Sequence, residues 1–130
     1  MAEYSIVRLE DVDDVLGDYP GEIRLLTEGL EAEQVAFTYR RMPQFTGGKG
    51  SYGHRHRTQE EVYFVIAGTL QFKLGDDIVE LGPGSAVRVP PETWRSVWND
   101  EAEDAELIIV STRLDDPRGD AEYLENFWPD

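Results

Sequence analysis

Two histidines separated by one residue, His54 and His56, and a glutamate after four intervening residues, Glu61, are the groups in this chain best suited to chemistry. Side chains two apart on a strand point the same way, so the two imidazoles can converge on one point. Two imidazole nitrogens and one carboxylate oxygen make a donor set for a divalent ion such as Fe, Mn, Ni, Co or Zn. That set leaves positions open for water, dioxygen or a chelating ligand. The chain has no cysteine, so thiolate ligands and disulfides are excluded. Glu61 lies an odd number of residues from His56, and an unbroken strand would carry it to the opposite face. The chain must therefore turn within Arg57-Thr58-Gln59, letting Glu61 enter from the next strand. Glu60, the competitor on simple alternation, is then expected to point outward.

The elements that would hold these groups are short strands with Gly/Pro turns. Strands are expected over Glu22 to Thr27, Gln34 to Met42, Glu61 to Ala67, Thr69 to Leu74, Ile78 to Leu81, Ala86 to Val89, Trp94 to Asn99 and Glu106 to Thr112. Pro43 to Gly53 reads as a loop, Gly75-Asp76-Asp77 as a hairpin turn, and Asp100 to Glu106 as a solvated turn. The tail beyond Asp115 is expected to hold one helical turn around Ala121 to Phe127. This is an all-β pattern, an antiparallel sandwich or barrel.

Gly48, His54, His56, Glu61 and Gly68 match every position of G-x5-H-x-H-x3,4-E-x6-G, which resembles the first motif of the cupin superfamily. Gly84, Pro90 and Asn99 resemble the second, G-x5-P-x-G-x2-H-x3-N, with Glu92 at its glycine and Arg95 at its histidine. The resemblance covers about Gln34 to Thr112. It implies a double-stranded β-helix, the cupin or jelly-roll barrel, often dimeric, around a divalent metal usually held by three histidines and a glutamate. The expected organisation is a single domain over residues 1–130, with a core barrel at about 22–112 and extensions at 1–21 and 113–130. The spacing to Gly68 selects Glu61 over Glu60. His54, His56 and Glu61 carry over as metal ligands, and the last histidine is missing.

The activity so implied is that of a metal-dependent oxygenase or isomerase acting on a small polar or anionic metabolite. The alternative is a non-catalytic, metal-free cup for a small ligand. Arg95 decides between them. A guanidinium stays charged at physiological pH and weakens a nearby cation site. Either it turns away from the metal to hold an anionic substrate group, for which its fork is suited, or it pairs with Glu61 in place of a metal. Tyr63 shares parity with Glu61 and is a candidate proton donor or substrate contact. Tyr52, two before His54, is placed near the pocket mouth. Phe37 and Tyr39, or their neighbours, are expected to come from the strand before the loop. Trp94 and Trp98 fall on the opposite parity to Arg95.

Asp and Glu number 27 against 12 Lys and Arg, a net charge of −15, and only Lys49 and Lys73 are lysines. Such a field repels nucleic acid and anionic membranes, so neither is expected as a partner. Many carboxylates with scarce lysine suit a halophilic protein in a salt-rich cytoplasm, where salt screens self-repulsion. No apolar run is long enough to span a membrane, and no secretory pattern opens the chain; a cytoplasmic location is expected. A homodimer is expected because small barrels have edges to cover, with Trp94, Trp98, Phe127 and Trp128 as spare aromatics.

Overall fold

The computed structural model describes residues 3–130. After a 3-10 turn at Leu9–Asp11 come β1 (Glu22–Leu25), β2 (Val35–Met42), β3 (Thr46–Gly47), β4 (Ser51–His56), β5 (Glu61–Ala67) and β6 (Leu70–Leu74). β7 (Asp77–Leu81), β8 (Ala86–Val89), β9 (Arg95–Asn99), β10 (Ala105–Thr112), the short α1 (Pro117–Asp120) and β11 (Ala121–Trp128) follow. The strands form two antiparallel sheets, ordered β1-β2-β10-β5-β8 and β11-β4-β9-β6-β7, with β3 added to β9. This is the expected all-β jelly-roll barrel. No helix among the described residues is long and apolar enough to cross a membrane.

Alternation decides which side chains enter the barrel. In β5, Glu61, Tyr63 and Val65 are buried while Phe64 and Ile66 are exposed. Tyr63, Val65, Leu70, Phe72, Val97 and Leu107 belong to one hydrophobic cluster. Tyr63, Phe72 and Val97 also line a cavity of about 1100 Å³, so the core serves as the cavity floor. Two residues of the recognised motifs have plain structural reasons. Gly68 turns with φ +73°, and a Cβ there would stand 2.7 Å from Ala105 Cα. Asn99, fully buried, donates to the carbonyls of Met42 and Glu103 at 2.8 Å and accepts from Glu101 N, fixing the β9–β10 turn.

Three expectations are corrected. Pro43 to Gly53 is not all loop, since β3 and the start of β4 fall within it. The helical turn lies at Pro117–Asp120, and Ala121 to Phe127 is strand, pairing with β4 through Ala121↔His56 and Tyr123↔His54. Its register shifts between Leu124 and Trp128, and Asn126 has φ +57°. That bulge breaks the two-residue period that would have marked a strand. Finally, Phe127 and Trp128 are not spare, being 8% and 3% exposed within their own chain.

Candidate metal centre

The site begins with a close approach of two strands. Gly48 sits where a Cβ would fall on Ser96 Oγ and crowd Tyr52 O, so β4 can lie against β9 only with glycine there. β4 then carries His54 opposite Arg95 of β9. His54 is half-buried and His56 is 7% exposed. Beyond His56 the chain reverses, as the odd offset requires. Asp120 of α1 clamps this reversal, accepting from Thr58 N, Thr58 Oγ1 and Gln59 N. Gln59 is itself buried and donates to Ser111 Oγ at 3.1 Å and Thr112 O at 2.7 Å. Glu61 therefore enters from β5, while Glu60 is exposed and pairs with Arg88 at 2.7 Å.

The three side chains meet. His54 Nε2 and His56 Nε2 each lie 3.5 Å from Glu61 Oε1, and the three ligand atoms fall within 4.8 Å of one another. Donors each about 2.0–2.2 Å from a shared ion stand roughly 3–3.5 Å apart, so the spacing fits one cation. The donor set is nitrogen and oxygen only, which suits Fe, Mn, Ni, Co or Zn alike. His56 also has its other nitrogen addressed: Nδ1 lies 3.3 Å from Asp120 Oδ2. Nδ1 makes no hydrogen bond at that distance, but a carboxylate beside it favours the tautomer that leaves Nε2 to the cavity.

Burial alone would raise the Glu61 carboxyl. Hydrogen bonds from His54, His56 and Tyr63 outweigh it and hold the group well below the usual carboxylate range, so it stays ionised. Tyr63 donates to Glu61 Oε1 at 2.8 Å. Burial, with the Glu61 charge beside it, pushes the Tyr63 phenol well above its ordinary value, so the proton stays on Tyr63 and is donated to Glu61. Asp120 is also held low: its burial is outweighed by the hydrogen bonds from Thr58 and Gln59.

Arg95 is 1% exposed and follows neither of the two expected arrangements in full. Its terminal nitrogens donate to backbone carbonyls, Nη1 to Thr93 O at 3.0 Å and Pro91 O at 3.2 Å, and Nη2 to Pro90 O at 3.4 Å. The fork that the sequence offered to a substrate anion is thus spent on its own turn. Only Nε faces the site, 3.5 Å from Glu61 Oε1 and without a hydrogen bond. Tyr52 is 51% exposed and stands edge-on to Tyr123 at the cavity mouth, 5.6 Å between ring centroids. Of the tryptophans, Trp94 lies under the Arg55 guanidinium and Trp98 stacks with Phe45.

Sequence reasoning missed Asp120, Tyr123 and Arg40. Asp120 and Tyr123 come from the tail, whose fold was misjudged. Arg40 belongs to β2, where the inward parity was left open between Phe37/Tyr39 and their neighbours. The structure selects the neighbours: Ala36, Thr38 and Arg40 line the cavity, and Tyr39 turns out to meet Glu106 at 2.5 Å.

A family model described as "Cupin domain" matches residues 44–111. No curated protein matches the chain. Among solved structures, a cupin-superfamily sugar phosphate isomerase from Silicibacter pomeroyi is similar at 16% identity, with 95% of each chain covered and a TM-score of 0.74. A cupin protein from Bacteroides fragilis aligns at 16% identity over 88% of each chain, TM-score 0.69. KdgF from Halomonas sp. aligns at 18% identity over 89% of this chain and 98% of its own, TM-score 0.67. At these identities the likeness speaks for the barrel and its strand order.

Proposed function

This chain belongs to the cupin family, and from that premise we propose a metal-dependent enzyme of oxygenase or isomerase type acting on a small polar or anionic metabolite. One observation carries the reading: both Nε2 atoms stand 3.5 Å from a single oxygen of an ionised, buried glutamate. His54, His56 and Glu61 would hold the ion, which as a Lewis acid would polarise a ligand oxygen. Tyr63 fixes the orientation of Glu61 through its 2.8 Å hydrogen bond, and the Asp120 carboxylate stands 3.3 Å from His56 Nδ1. Tyr52 and Tyr123 flank the mouth above His54. The cavity floor of Tyr63, Phe72 and Val97 shields the site from water on the core side. The isomerase side of the proposal draws support from the Silicibacter pomeroyi structure, itself a sugar phosphate isomerase.

A second reading has its own observation. Arg95 Nε lies as close to Glu61 Oε1 as either imidazole does. In that reading the guanidinium replaces the cation and the barrel is a metal-free binding cup. Metal analysis of protein purified without chelator separates the two. The enzyme reading expects about one ion per chain, lost in His54→Ala and in Glu61→Gln. Protein that stays metal-free after incubation with Fe, Mn, Ni, Co and Zn would leave only the cup.

A further inference from the structure

We propose that the ligand of this barrel is an organic anion whose carboxylate or phosphate group is held by Arg40, on the sheet facing the two histidines. The assignment rests on the metal-centre reading only for where the other end of the ligand lies. β2 pairs with β10 through Arg40↔Leu107, placing Arg40 on the inward parity with Leu107. The side chain lines the cavity, and its Nε is fully covered without a hydrogen-bond partner. Among the described residues no carboxylate pairs with Arg40. The other cavity arginines differ. Arg95 is tied to carbonyls and Glu61, Arg113 meets Asp115 at 3.5 Å, and Arg118 is exposed at the rim.

The titratable groups around Arg40 are phenols, neutral at physiological pH, rather than carboxylates. Burial pulls the guanidinium below its ordinary value, and only Tyr19, Tyr63 and Tyr52 act against that. It nevertheless remains a cation at any physiological pH. A buried cation without a counterion is costly, and a ligand anion removes the cost. The charge balance points the same way. In a chain of net charge −15, the charged side chains that line this cavity without being exposed are Arg40, Arg95 and Arg113 against one carboxylate, Glu61. A divalent ion at the histidines would make the excess larger. Tyr52 offers a hydroxyl that can donate to the same anion, whereas that of Tyr63 is already given to Glu61.

The test is calorimetric titration of chelator-treated protein, in one KCl buffer, with glutarate, with inorganic phosphate and with uncharged 1,5-pentanediol. Wild type is expected to bind at least one anion and not the diol, the tighter anion naming the group. Arg40→Gln is expected to weaken that binding by about tenfold or more, and Arg40→Lys by less. Arg40→Met is expected to melt no lower than wild type without anion, because it removes a half-buried charge that no carboxylate pairs. Wild type binding neither anion, or Arg40→Gln binding as wild type does, would overturn the proposal. So would Arg40→Met melting well below wild type, which would make Arg40 a structural residue. Mn(II) titration of wild type and Arg40→Gln keeps the two readings apart. If wild type binds no Mn(II), the metal centre fails while the anion titration still decides Arg40.

Discussion

Each sheet sends one arginine into the same barrel, and the two are treated differently. On the six-stranded sheet, Arg95 is all but sealed off, with three carbonyl acceptors and one carboxylate around it. On the five-stranded sheet, Arg40 is partly open to the cavity, without a salt bridge among the described residues. The first is a staple: it ties the Pro90–Thr93 turn to β9 and gives Glu61 a countercharge. The second is a charge kept in reserve. Burial alone therefore does not identify a ligand-binding cation; what separates the two is whether the protein has already satisfied them.

The largest effect that could break this contrast is on stability. Arg95→Ala is expected to cost about 3–5 kcal/mol in urea denaturation, because it strands the Glu61 charge in the interior. A cost no greater than that of Arg40→Met would erase the distinction. Arg95→His tests the other consequence of the staple. Replacing a nearby cation by a neutral imidazole is expected to tighten Mn(II) binding by about tenfold or more. Tyr63→Phe is expected to cost about 1–2 kcal/mol, the loss of one hydrogen bond to a buried charge.

The same variant has a pH signature. Glu61 is held low when folded, so its contribution is present above the ordinary carboxylate pKa and is lost as pH falls through the lowered folded value. Tyr63→Phe removes one of the groups that lower it. The acid loss of melting temperature should then be smaller than in wild type and level off at higher pH, in a scan from about pH 6 to about pH 2. The smallest and most diffuse effect concerns the surface outside both arginines. With net charge −15, the melting temperature is expected to rise between low and molar KCl, and a flat or falling curve would remove the halophilic proposal.

The strands were legible where alternation was clean. β5 and β8 have the bounds the sequence suggested, and the need for a reversal between His56 and Glu61 followed from an odd offset alone. What could not be read was long-range. Nothing near Arg57-Thr58-Gln59 announces that its hydrogen-bond partner is a carboxylate about sixty positions later, Asp120. β11 hid behind its bulge, and with it Asp120 and Tyr123. In β2, Phe37 and Tyr39 against Thr38 and Arg40 is a pattern in which apolar residues face out. The outer face of that sheet is itself apolar, with Val62, Phe64, Ile108 and Val110 beside them in register. The usual rule of apolar-in, polar-out has no purchase there, so the free cation was passed over.

Asp120 has a consequence for anyone who shortens or joins this chain. The residue beside His56 Nδ1 comes from a stretch that follows the last strand of the five-stranded sheet. A version ending at Thr112 would keep both histidines yet lose the carboxylate that clamps the reversal between His56 and Glu61. Conversely, grafting a different tail onto the same barrel would exchange both the group beside that imidazole and Tyr123 at the mouth.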